Sequence, residues 1–176
     1  ELQRQLRDDT FLVSLMAANN EIGTIQPLER IGLVLADHPA LWHCDAAQAV
    51  GKIPLDVRAL GIDLLSMSAH KVYGPKGQGA LYVRRRRPAI RLQPLQEGGG
   101  QERGIRSGTL NVPGIVGLGR ACELAAAELE SEMRRLGQLR EQLVGGLSQK
   151  LNLTINGHAQ QRLPGCVSVC FAGADG

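Results

Sequence analysis

"DLLSMSAHKVYGPKGQGALYV", residues 63 to 83, sets an apolar run of strand length, a histidine-lysine pair and a glycine-rich turn in direct succession before a second apolar run. A short apolar stretch bounded by turn signals reads as a strand. "GPKGQG" (74–79) reads as the turn, and "GALYV" (79–83) as the following strand. Ser68, His70 and Lys71 therefore stand just beyond the carboxyl end of a strand. In parallel α/β sheets that is where ligands bind.

Working outward, "FLVSLM" (11–16), closed by Asn19 and Asn20, reads as a strand buried on both faces. Pro27 suits a first helical turn, and Leu28, Ile31 and Leu35 follow at helical spacing until "DHPA" (37–40) ends the element. "ALWHCDA" (40–46) is another strand, and "DVRALG" (56–61) a short helical turn leading into the stretch quoted above. Alternation of strand and helix argues for an α/β fold built on a parallel-rich sheet. Residues 113–149 read as one long helix with an apolar stripe at Leu118, Cys122, Ala125, Leu129, Met133, Leu136, Leu139 and Leu143, and Gly137 as a candidate kink. "LNLTING" (151–157) and "CVSVCF" (166–171) alternate as strands of a smaller unit. The expected organisation is part of a large domain over 1–112, a connecting helix over 113–149 and the start of a smaller α+β domain over 150–176.

Bulk properties bound the function. The chain is 43% apolar but only 3% aromatic, with 22 glycines, which suits an aliphatic α/β core. A net charge of +3 on 176 residues gives no broad basic field for nucleic acid or an anionic membrane. No run reaches the roughly 18 apolar residues of a membrane span. Cys44, Cys122, Cys166 and Cys170 lack zinc-ligand or disulfide-framework spacing, which fits a reducing cytoplasm and no metal. The chain opens without methionine in "ELQRQLRDD", which reads as the last turns of a helix, and stops one strand into its small unit. It is expected to be a piece of a longer protein.

Three strand ends supply the candidate chemistry: Asn19, Asn20 and Glu21 after the first, Asp45 and Gln48 after the second, Ser68, His70 and Lys71 after the third. Pyridoxal phosphate asks for such a set, with a lysine for its aldehyde, a carboxylate facing the pyridine nitrogen, and hydroxyl or imidazole donors for its phosphate. Asp45 and Gln48, three residues apart, share one face of a helical turn. Each residue taken singly has a plainer reading. Asp45 can be the N-cap of a helix over "AAQAVGK", the asparagines can be turn residues, and Lys71 can be a solvated loop lysine. Only their joint order favours the cofactor. "GPKGQGA" has Ala80, not a lysine followed by a hydroxyl residue, after the Gly79 that would close a nucleotide-phosphate loop, and Arg84 to Arg87 read as a solvated strand end rather than a nucleic-acid contact.

Four stretches, "NNEIGTIQP" (19–27), "DAAQAVGK" (45–52), "SAHKVYGPKGQGALYVR" (68–84) and "GGGQERGIRSGTLNV" (98–112), together resemble the cysteine desulfurases. These are fold-type I pyridoxal-phosphate enzymes of the class V aminotransferase superfamily, and the match is to the iron–sulfur-assembly and nitrogen-fixation branch. The resemblance implies an aspartate aminotransferase-like large domain with helices on both faces of its sheet. It implies that Lys71 binds the cofactor aldehyde, Asp45 the pyridine nitrogen and Gln48 the ring oxygen, with Asn20 near that oxygen and the substrate carboxylate. Ser68 and His70 would take the phosphate, and Thr109 would reach the cofactor of a second subunit, hence a homodimer. The implied reaction converts L-cysteine to L-alanine and leaves a persulfide on an enzyme cysteine, for delivery to an iron–sulfur scaffold or another sulfur acceptor. In the family that cysteine follows the strand that here ends at Phe171, so the four cysteines present are read as structural, Cys166 and Cys170 on one strand face, and the isolated piece as inactive. Selenocysteine lyase or an aminotransferase on the same scaffold, and a non-catalytic partner-binding protein, are the competing readings.

Overall fold

The computed structural model describes residues 1–174. Its elements in chain order are α1 (Leu2–Gln5), β1 (Leu12–Met16), α2 (Leu28–Leu35), β2 (Leu41–Asp45), β3 (Leu64–Ser68), β4 (Gly79–Val83), α3 (Val112–Ser148), β5 (Leu153–Ile155) and β6 (Val169–Phe171). Strands β1 to β4 form one sheet in sequence order, and β5 and β6 pair separately. The β1–β2 and β2–β3 pairs are parallel, and β4 returns antiparallel with Gly79 opposite Ser68. The expected α/β class with a parallel-rich sheet is the observed one.

Side-chain alternation divides the sheet into two faces. Val13, Trp42, Cys44 and Leu65 are buried, and they form one core with Leu28, Ile31 and Leu35 of α2. Each of these aliphatic side chains contributes about 2 kcal/mol on full burial. Gly32 lets α2 come down on the chain, because a Cβ there would lie 2.3 Å from the Leu60 carbonyl oxygen. The other sheet face mixes apolar residues, among them the buried Leu64, with a polar row: the Ser14 hydroxyl meets His43 Nδ1 at 2.7 Å, and His43 Nε2 meets the Ser66 hydroxyl at 3.2 Å. Within this chain β1 stands at the end of the strand order, with Val13 in the core and Leu12 and Met16, on the opposite face, about two-fifths exposed.

The long helix runs unbroken through Gly137. Its half-buried stripe passes through Leu118, Cys122, Ala125, Leu129, Met133 and Leu136 and then continues at Arg140, Val144 and Leu147. Leu139 and Leu143, expected in the stripe, are exposed. The 3.6-residue repeat carries the contact line past them to the adjacent positions. After α3 the chain folds back onto the loop that follows β1: Ile25 N–H donates to Gln161 O at 2.9 Å, and Leu163 N–H to Gly23 O at 2.8 Å. Leu163 thereby enters the main core at 4% exposure. Among the described residues no helix is long and apolar enough to cross a membrane.

Candidate active site

Because β1, β2 and β3 run parallel, their carboxyl ends open on one edge. The register aligns Met16, Asp45 and Ser66, so the carboxylate of Asp45 and the side chain of Ser66 share a face, with Ser68 two residues further along it. Chain direction in the sheet therefore gathers the loops at 17–26, 46–53 and 69–78.

Lys71 rides on a single 3-10 turn, Ala69–Val72, that follows β3 directly. Tyr73 closes this turn in the left-handed region at φ 62°, an uncommon conformation for a side chain of its size, with its N–H on the Ala69 carbonyl. Ala69 and Val72 are buried while His70 is exposed and Lys71 half-buried, so the turn is anchored by its apolar members and offers the basic ones. The Ser68 hydroxyl and His70 Nδ1 are 3.0 Å apart. Lys71 makes no hydrogen bond or ion pair among the described residues.

The turn after β2 is held by its own backbone. Ala49 and Val50 N–H both donate to Ala46 O, and Lys52 and Ile53 N–H both donate to Ala49 O. Asp45 Oδ1 accepts the Ala47 N–H at 3.0 Å and so fixes the start of the loop, but the helix it was expected to cap is not formed, and the segment runs as successive turns. This contact occupies one carboxylate oxygen, and no further hydrogen bond to this carboxylate is formed among the described residues. Gly51, at φ +72°, fits where a Cβ would stand 3.0 Å from Ala125 Cβ and 3.1 Å from Val72 Cγ1. That contact clamps this turn against α3 and against the turn bearing Lys71.

A cavity of about 500 Å³ opens between these loops and α3. Lys71, Asn20 and Gln48 line it, with an apolar wall that includes Leu124, Ala125 and Leu129. Three of the sequence-predicted residues thus share one cavity. Asp45, Ser68 and His70 stand on the same sheet edge without lining it. Thr109 lies apart, exposed in the loop before α3.

Two groups escaped the sequence reading. Lys52 also lines the cavity and donates to Gln48 Oε1 at 3.0 Å. Burial first, and the charge of Lys71 second, hold the Lys52 amine below the ordinary lysine range. Its four-residue spacing from Gln48 on a helical turn was the available signal. Cys166 is the second. It precedes β6 rather than sharing a strand face with Cys170, because β6 begins only at Val169. Its Sγ lies 3.5 Å from the Glu21 carbonyl, and it lines the same cavity. Cys44, by contrast, is fully buried, and burial followed by the Asp45 charge pushes its thiol up to about 11. Cys122 is also raised by burial.

The donor set fits a phosphorylated pyridine aldehyde. An unengaged amine suits the aldehyde, and a carboxylate with one oxygen spare suits the ring nitrogen. Gln48 has its carbonyl already committed, so it offers an N–H donor to a ring oxygen. The Ser68 hydroxyl and His70 imidazole suit a phosphate.

The whole chain, residues 1–176, matches the family described as Aminotransferase class-V. It is 54% identical over 177 residues to the cysteine desulfurase IscS of Anaeromyxobacter dehalogenans (strain 2CP-C), covering 100% of this chain and 44% of that protein. The fold matches a solved NifS-like protein with a TM-score of 0.91 at 47% identity, over 97% of this chain and 46% of that one. It also matches SspA, solved in complex with cysteine, with a TM-score of 0.79 at 40% identity, over 97% and 46% of the two chains. This chain therefore spans less than half the length of these relatives. The sequence motifs, the sheet edge and these likenesses agree: the chain belongs to the class-V aminotransferase family, whose members use pyridoxal phosphate.

Proposed function

We propose that the protein containing this chain is a pyridoxal-phosphate-dependent cysteine desulfurase acting on L-cysteine. The observation that supports this most is the unengaged Lys71 amine in one cavity with Asn20 and the donor edge of Gln48. The cysteine desulfurase name of the Anaeromyxobacter relative and the cysteine in the SspA structure favour this substrate over the other substrates of the family.

When bound, pyridoxal phosphate supplies an electron sink for the pair left after the substrate loses its Cα proton. The chain's own residues do the rest. Lys71 would hold the aldehyde, and its Nζ is the group that would carry a proton near the reacting carbon. The free oxygen of Asp45 would keep the pyridine nitrogen protonated. Gln48 Nε2 donates to the ring oxygen, Ser68 and His70 hold the phosphate, and Asn20 orients the substrate carboxylate. Leu124, Ala125 and Leu129 of α3 give the cavity an apolar wall beside Lys71 and Gln48. In the net reaction the substrate C–S bond breaks and an S–S bond forms to an enzyme thiol, giving L-alanine and a persulfide.

Cys44 is unsuited to be that thiol, since a thiol near pKa 11 is almost wholly protonated at neutral pH. Thr109, beside the exposed Ile105, Leu110 and Val112, belongs to a surface that a second copy covers, with Thr109 reaching the partner's cofactor phosphate. The acceptor is a scaffold of iron–sulfur assembly or another sulfur-accepting protein. Four free cysteines suit a reducing, cytoplasmic setting.

The full-length protein, incubated with pyridoxal phosphate and L-cysteine, is expected to release alanine and acquire a persulfide in equal amounts, with a shift of the visible cofactor band. Alanine release from selenocysteine alone would make it a selenocysteine lyase. A keto acid in place of alanine would make it an aminotransferase.

A further inference from the structure

We propose that Lys52 is a positioning residue: its ammonium holds the carbonyl of Gln48, so that the cavity is offered the amide's NH2 edge. The inference rests on the functional reading above, in which that edge meets the cofactor's ring oxygen.

The argument begins with the identity of the atoms. An ammonium has only donors, so the Gln48 atom it meets at 3.0 Å must be the carbonyl oxygen. The remaining edge of the amide is then the NH2. Without Lys52, the amide is free to rotate and show an acceptor to an anionic oxygen, which repels it.

Lys52 is itself held in place. It follows Gly51, whose backbone is pressed on Ala125 and Val72. Its N–H closes a turn on Ala49 O at 3.0 Å, and four-residue spacing puts its side chain on the same side as Gln48.

The placement is also costly for the fold. Lys52 is half-buried, and it forms no ion pair among the described residues, although Glu128 and Glu132 line the same cavity. A half-buried ammonium lacking a carboxylate and set near a second lysine loses stability that a solvated lysine would keep. Such an arrangement marks functional sites more often than structural ones.

The test uses the full-length protein without substrate, reading the affinity for pyridoxal phosphate and the pH midpoint of the visible cofactor band. Lys52→Met is expected to weaken affinity about five- to tenfold, the size of one lost ordinary hydrogen bond. It should also move the band midpoint in the direction that Gln48→Ala does. Lys52→Arg should stay within about twofold of wild type, as should the exposed-site control Lys76→Met. Adding Lys52→Met to Gln48→Ala should cause no further loss, because the two residues act as one unit. Should Lys52→Met fail to fold by circular dichroism, Lys52→Gln, which keeps polarity and loses the charge, is held to the same expectation. An unchanged affinity in the folded variant overturns the proposal. So does a Lys52 effect that persists undiminished in the Gln48→Ala background, since Lys52 would then contact the cofactor directly. A wild-type protein that takes up no pyridoxal phosphate overturns the functional reading, and this inference with it.

Discussion

The sheet has a charged cluster at each end, and the two differ in how completely their groups are satisfied. At the amino end of β3, Asp63 is 5% exposed. Its Oδ2 accepts the Trp42 N–H at 3.1 Å, while Oδ1 accepts from Arg86 at 3.1 Å and lies 3.8 Å from Arg84. Arg84 also reaches the Gly61 carbonyl. At the carboxyl end stand Asp45, Gln48, Lys52 and Lys71. Here the Lys71 amine and one Asp45 oxygen lack partners among the described residues. Similar residue types therefore do different work. The closed cluster ties β4 to β3, and the open one keeps bonding capacity for a ligand. The lesson is that saturation, rather than charge or residue type, separates a structural cluster from a functional one.

Substitutions that cross the two clusters put this contrast at risk. The largest effect is expected from Asp45→Ala in the full-length protein. Alanine release should fall by about a thousandfold or more and cofactor retention on gel filtration should drop, since in the proposed reading this carboxylate holds the ring nitrogen protonated. The melting temperature should barely change, because Asp45 is exposed and its folding role is one N–H contact.

Asp63→Ala should do the reverse. It removes the acceptor of the Arg86 guanidinium and of the buried Trp42 N–H, and the countercharge beside Arg84, and should cost about 2 kcal/mol in denaturant unfolding. The fraction still folded should retain its visible cofactor band. If the two aspartates gave matching profiles, the distinction between closed and open clusters would be lost.

Within the closed cluster, Arg86→Ala should destabilise more than Arg84→Ala. Arg86 lies within hydrogen-bond distance of Asp63 and Arg84 does not. Both are partly exposed, so each effect should stay near 1 kcal/mol in the same unfolding measurement.

The smallest effect concerns Cys44. Its thiol is pushed up from 9.0 to about 11 on folding, so the native state keeps a proton that the unfolded chain gives up above pH 9. The stability this provides is fully present below pH 9 and is lost as pH rises through about 11. Cys44→Ala should flatten that decline in unfolding midpoints measured from pH 8 to 11. Persulfide formation should remain largely intact. Loss of the persulfide would show that Cys44 is the sulfur carrier.

What the sequence made legible follows the reach of local signals. Strand ends, turn residues and the helical spacing of Leu28, Ile31 and Leu35 are local, and they placed the elements, the open sheet edge and Lys71. Properties that depend on neighbours distant in sequence were not legible. Arg84 to Arg87 are largely solvent-facing as read, but the pairing of Arg84 and Arg86 with Asp63 depends on a residue 21 and 23 positions earlier. Cys166 reaches the cavity only because the chain after α3 pairs with the loop at 23–25. Lys52 lies between these cases. Its partner was four residues away, but nothing in the sequence said that the turn is clamped against α3.

The central claim is that Lys71 is the amine that holds the cofactor aldehyde, and borohydride reduction of the full-length protein loaded with pyridoxal phosphate tests it most directly. After digestion, mass spectrometry should find the phosphopyridoxyl group on the peptide bearing Lys71, and the label should vanish in Lys71→Ala. Specific label on Lys52 or another lysine in the wild-type protein, or label that persists in Lys71→Ala, would contradict the account.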